Sequence, residues 1–136
     1  MMHTDIAALR SVGTGVLIYE LAKIVRPGMV EIGEGTQIDD FVFINGGNGV
    51  RIGRFNHIAS FVSVVGGGEF ITGDYVGIAA GARIVTGTHH YGEGRRISPL
   101  IPEEEQHVLR GTIVLKDDVF VGTNAIIHPN VTIGEG

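Results

Sequence analysis

The sequence predicts an all-β fold, a parallel β-helix built from six-residue repeats, with one long inserted loop. Three observations carry this. Aliphatic residues recur every six positions: Val12, Ile18, Ile24; Ile32, Ile38, Ile44; Ile52, Ile58, Val64; and, with Thr72 in the first place, Ile78 and Ile84. The sets begin at 12, 32, 52 and 72, so three hexads and two extra residues make a period of 20. The residue after each set's first member is glycine: Gly13, Gly33, Gly53 and Gly73. A period of six fits neither a 3.6-residue helix nor simple strand alternation. It fits a triangular coil in which each hexad is one short strand and one corner, stacked turn on turn at roughly 4.8 Å around a continuous core.

Taken in order, Met1 to Arg10 is the one helical candidate, with Thr4 as N-cap and Asp5 favourable in the first turn. Coils are expected from 12 to 87. Four residues after each large aliphatic comes a small one, among them Val16, Ala22, Thr36, Val42, Val62, Val76 and Ala82. Asn56 breaks that rule; it is either a buried amide paired within the stack or a residue facing a site. Corners demand unusual backbone angles, which accounts for much of a glycine content of 22 in 136 residues. The two extra residues per turn fall at one corner, in Arg26-Pro27-Gly28-Met29, Gly46-Gly47-Asn48-Gly49 and Gly66-Gly67-Gly68. At the fourth visit that bulge becomes an excursion over 88–112, opened by His89-His90 and carrying Pro99, Pro102 and the run Glu103-Glu104-Glu105. Two prolines favour a hinged arm over a floppy loop, one without regular strands from about Tyr91 to Arg110. Hexads resume over 113–136 as Leu115, Val121, Ile127 and Ile133, making one domain from 1 to 136.

Composition narrows the function. The net charge of −5 favours neither nucleic acid nor anionic membrane. There is no apolar run long enough for a transmembrane helix and no cysteine for disulfides, thiol nucleophiles or Cys-ligated zinc. A cytoplasmic protein is the simplest reading. His57 and His128 take outward positions beside the core aliphatics, where a surface role is the plain expectation.

These hexads, Ile32-Gly33-Glu34-Gly35-Thr36-Gln37 and Val121-Gly122-Thr123-Asn124-Ala125-Ile126 among them, resemble the hexapeptide-repeat acyltransferases over residues 12 to 136. The resemblance implies a left-handed coil, acetyl-CoA as co-substrate with no permanently bound cofactor, and a homotrimer with sites between neighbours. The run Thr86-Gly87-Thr88-His89-His90-Tyr91 resembles the sugar O-acetyltransferase branch, where a histidine at this loop is the base. His89 is then the expected base, with His90 as the alternative. A neutral imidazole removes the acceptor's proton, and the acceptor attacks the thioester with no acyl-enzyme. Further implied contacts are Asn56, Tyr91 and Arg95 to substrate, and Phe120, Gly122 and Asn124 to the coenzyme. Zinc, used by another branch, needs three histidines in close geometry; no two outward histidines share a column, so no metal is expected.

Three departures qualify the resemblance, the mildest being Phe120 where relatives often carry Trp, a change that keeps an apolar wall. Gly66-Gly67-Gly68 stands where sugar-acetylating relatives often carry acidic residues, and the chain ends on Ile133-Gly134-Glu135-Gly136, a turn start, where the family continues with coils that hold most of the coenzyme pocket. The leading expectation is acetyl transfer from acetyl-CoA to a sugar hydroxyl. The alternatives are N-acetylation of a nucleotide-linked aminosugar, and a non-catalytic solenoid used for assembly.

Overall fold

The structure is a computed structural model that describes residues 5–90, 92 and 94–136. Three parallel sheets form the faces of a left-handed prism of about six turns. The first face stacks Ser11–Val12, Val30–Ile32, Gly49–Ile52, Glu69–Thr72, Thr112–Leu115 and Thr132–Ile133. The second stacks Leu17–Ile18, Gln37–Ile38, His57–Ile58, Gly77–Ile78 and Phe120–Val121, and the third Lys23–Val25, Phe43–Asn45, Ser63–Val65, Arg83–Val85 and Ile126–Ile127. Register is twenty residues per turn: Ile32 pairs with Ile52, Ile38 with Ile58, and Ile44 with Val64. Among the described residues no helix is long and apolar enough to cross a membrane.

Inward columns form the core. Ile24, Ile32, Ile38, Ile44, Ile52, Ile58, Val64, Ile78, Ile84, Val121 and Ile127 are buried, and Thr72 shares the inward column as expected. Two expected core residues are not buried. Val12 is 43% exposed and Ile18 half-buried; both lie in the first turn, whose other inward aliphatic, Ile24, is buried. A 3-10 turn at Ile6–Ala8 stands in place of the expected helix, with the Asp5 carboxylate accepting from the Ala7 N–H and Leu9 buried beyond it. The cap is Asp5; Thr4 lies outside the described residues.

Asn56 resolves to the buried alternative. Its amide donates to Thr72 Oγ1 and accepts from the Val76 N–H at 2.8 Å, while its backbone N–H donates to Thr36 Oγ1 at 3.1 Å. Both ends of its amide are used inside the coil.

The corners differ from expectation. Phe41, Phe55, Phe61 and Tyr75 occupy them with φ of 65°, 53°, 66° and 60°, a left-handed conformation that bulky residues seldom adopt. Each such residue costs about 1–2 kcal/mol. The rings stack on the next turn, Phe41 on Phe61 at 5.2 Å and Phe55 on Tyr75 at 5.5 Å, both nearly parallel. Such pairs return about 0.5–1.5 kcal/mol beyond area burial, so stacking offsets part of the strain. The Gly13-Gly33-Gly53-Gly73 column serves a different need. A Cβ on Gly53 would stand 2.1 Å from the Gly73 carbonyl oxygen, so glycine here permits close approach of successive turns.

Asn56→Val places the side chain used at equivalent positions in other turns, yet it strands the Val76 N–H inside the core. The expected loss is about 1–3 kcal/mol, read by urea denaturation.

Candidate functional site

The inserted segment leaves the prism between the third and first faces. Thr86 fixes its origin: the buried hydroxyl donates to the Val65 carbonyl at 2.9 Å and accepts from the Gly68 N–H at 2.9 Å. Gly66, at φ 109°, lies directly against the chain above it; a Cβ there would stand 2.2 Å from the Gly87 nitrogen. The glycine triplet is therefore the seat of the loop.

The expectation that Tyr91 to Arg110 lacks regular strands is corrected. Gly87–His89 pairs antiparallel with Val108–Arg110, His89 opposite Val108, and the His90 N–H donates to the His107 carbonyl at 2.8 Å. The outgoing and returning chains must meet at the same corner, and there they satisfy each other's backbone groups. The Gln106 amide ties the loop inward by donating to the carbonyls of Pro99 and Ile101 at 3.1 and 2.8 Å.

This short ribbon separates the two histidines, since neighbouring residues on a strand face opposite sides. His89 is half-buried and lines a cleft of about 270 Å³ with Asn45, Gly67, Gln106 and Arg110. Its Nε2 is fully buried and has no hydrogen-bond partner among the described residues. A buried ring nitrogen without a partner is costly unless something else engages it. His90 is exposed and lines a separate cleft of about 340 Å³ with Arg95 and His107.

The other residues singled out in the sequence lie elsewhere. Phe120 is 73% exposed on the second face. Gly122 follows it, and Asn124 occupies the corner beyond, at φ 59°. None of the three lines the cleft of His89. Asn56 is enclosed in the core, and Tyr91 lies outside the described residues. Among the described residues no three His, Asp or Glu side chains gather as a metal site requires.

Sequence reasoning passed over one cluster. On the second face His57 Nε2 stands 2.9 Å from Asp39 Oδ2, and the Gln37 amide donates to Asp39 Oδ1 at 2.8 Å. Burial disfavours the Asp39 carboxylate, but the Gln37 and His57 contacts outweigh it and hold its pKa below the ordinary carboxylate value. The available signal was the spacing: 18 residues is one turn less two, which puts Asp39 and His57 on adjacent strands of one face.

No protein-family model matches the chain. Over 128 residues it is 31% identical to the dTDP-4-amino-4,6-dideoxy-D-glucose acyltransferase of Escherichia coli, covering 93% of this chain and 67% of that protein. AntD, an N-acyltransferase from Bacillus cereus crystallised with dTDP and 3-hydroxybutyryl-CoA, superposes with a TM-score of 0.88 at 34% identity, covering 96% and 69% of the two chains. A single-residue variant of AntD in complex with dTDP-4-amino-4,6-dideoxyglucose and coenzyme A gives a TM-score of 0.88 at 35% identity, over 95% and 68%.

Thr86→Val keeps the shape of the loop's anchor and removes its hydroxyl. With the Gly68 N–H left without its acceptor, the expected cost is about 1–3 kcal/mol, measured by chemical denaturation, together with faster proteolysis within 88–112.

Proposed function

The chain belongs to the hexapeptide-repeat acyltransferase family, and from that premise we propose that it transfers an acyl group from an acyl-CoA thioester to the amino group of a nucleotide-linked aminosugar, with His89 as the base. The half-buried His89, its Nε2 unpartnered beside a cleft at the root of the loop, carries the reading. The acceptor class follows the relatives, one named for a dTDP-linked aminosugar and one crystallised with such a sugar and coenzyme A. The sugar hydroxyl expected from the sequence gives way to the amine on this support. Both acceptors use the same scaffold and the same kind of base, so the loop motif alone does not separate them.

In this mechanism the amine nitrogen attacks the thioester carbonyl carbon. The C–N bond forms, the C–S bond breaks, and the coenzyme leaves as thiolate. His89 takes a proton from the nitrogen as it acquires positive charge, and that proton is available for the departing sulfur. Neutral imidazole near pH 7 suits this exchange.

Phe120, Gly122 and Asn124, the expected coenzyme contacts, lie away from the His89 cleft within one chain. This supports a site completed between neighbouring copies, His89 from one and the second face from the next, in a homotrimer. The exposed apolar side chains Leu17, Phe120 and Ile126 on the flat faces support the same assembly.

The test is thiol release from acetyl-CoA and 3-hydroxybutyryl-CoA with dTDP-4-amino-4,6-dideoxyglucose, against the corresponding hydroxyl sugar, with the amide identified by mass. His89→Gln is expected to lower kcat/KM by about two to four orders of magnitude, and His90→Gln by much less. A dead His90 variant beside an active His89 variant transfers the role to His90. For assembly, sedimentation equilibrium is expected to report three copies per particle; a monomer at every concentration refutes the shared site.

A further inference from the structure

We infer that His57, held by Asp39, is a second proton acceptor of the acyl-transfer site, one that takes the ammonium proton of the amine before attack. The inference rests on the proposed amine acceptor. A hydroxyl acceptor must lose one proton on acylation. An amine that binds as an ammonium ion must lose two, one to expose its lone pair and one to become an amide nitrogen. His89 accounts for one of them.

The second face supplies the other acceptor. With Nε2–H donated to the Asp39 carboxylate at 2.9 Å, the neutral ring carries its lone pair on Nδ1. Asp39 is fixed in turn by the Gln37 amide at 2.8 Å. This is a base with a third group orienting its partner, the arrangement that makes an imidazole a directed acceptor. The carboxylate is sheltered, its side chain 18% exposed, while the imidazole is 54% exposed.

The surroundings fit a substrate. His57, Gly77 and Phe120 follow one another in register on successive strands of this face. The Phe120 ring leans over Gly77, where an added Cβ would stand 3.3 Å from it. The backbones of His57 and Phe120 are two strand spacings apart, about 9–10 Å, with only Gly77 between them, and the Phe120 ring folds across that glycine toward His57. The aromatic edge is the proposed coenzyme wall, so the exposed imidazole lies on the face along which an acceptor amine would approach a thioester.

The charged groups around His57 are accounted for. The strand below brings Asp39 and the neutral Gln37, and the strand above, Gly77–Ile78, brings no titratable group. The corner before His57 brings Arg54, bound to Asp74 at 2.7 Å. Asp39 is therefore the one charged group in contact with the ring among the described residues.

His57 Nδ1 takes one proton from the ammonium group and later releases it to solvent. The free amine attacks, the C–N bond forms, and the C–S bond breaks. The second nitrogen proton passes through His89 to the coenzyme sulfur. The products are the amide, the free thiol and one proton.

The experiment is the pH profile of kcat/KM for dTDP-4-amino-4,6-dideoxyglucose with saturating acetyl-CoA, from pH 6 to 9.5. A sugar amine with a hydroxyl on one neighbouring carbon and the ring oxygen on the other resembles an α-amino group, with a pKa of about 8. At pH 6.5 only about one molecule in 30 is then the free amine. His57→Gln is expected to lose about 10- to 30-fold at pH 6.5 and to approach the wild type near pH 9, where the acceptor needs no deprotonation. Asp39→Asn, a positioning change, is expected to give the same profile with a smaller loss. His89→Gln is expected to be impaired at every pH. A His57 variant equal to the wild type throughout, or impaired equally at all pH values, overturns the inference while leaving the amine acceptor standing. A wild-type protein that releases no thiol with the aminosugar overturns the acceptor assignment, and this inference with it.

Discussion

Everything in this molecule depends on the twenty-residue register that sets each turn directly on the last. An aliphatic side chain pointing inward is buried by its equivalents above and below, as with Ile38 and Ile58. Burial therefore depends on place in the column as well as on residue type: in the first turn Val12 and Ile18 remain exposed or half-buried while Ile24 is buried. The same register brings backbone onto backbone at the Gly53 column. A solenoid of this kind accepts added residues only where the chain turns a corner.

The corner between the third and first faces is where that freedom is used. Two turns carry a small bulge there, and the glycine triplet Gly66-Gly67-Gly68 forms a floor on which the inserted segment lies. Thr86 pins the segment to the turn beneath, and its two stems pair as a ribbon. Rigid footing with a variable extension is how loops come to hold chemistry. The ribbon also divides the adjacent histidines between two clefts, leaving the two imidazoles with different surroundings.

Polar groups follow the same columnar logic. Inside, Thr36, Asn56 and Thr72 satisfy one another and nearby backbone groups across successive turns. Outside, Gln37, Asp39 and His57 do so on the second face. The inner network is enclosed, and each of its three side chains is bonded within the coil. The outer one leaves a ring nitrogen toward solvent on the face that carries Phe120. Position on the prism separates a structural amide from a candidate proton carrier.

The sequence by itself determined the architecture, because the constraint is periodic. Six-residue spacing, glycine after each set's first member and extra residues at one corner fixed the coil, its core columns from Ile24 to Ile127 and the address of the loop. It also drew attention to His89 and His90, since they open the interruption. Tertiary structure decided the rest. Aromatics at left-handed corners were illegible because their support, a ring on the next turn, is twenty residues away. The hairpin stem depended on Val108–Arg110 returning to meet Gly87–His89, a pairing that no repeat announces. Asn56 was ambiguous until Thr72 and the Val76 N–H were seen beside it. The Asp39–His57 pair is legible only through the twenty-residue register, because its partners become neighbours once the coil closes.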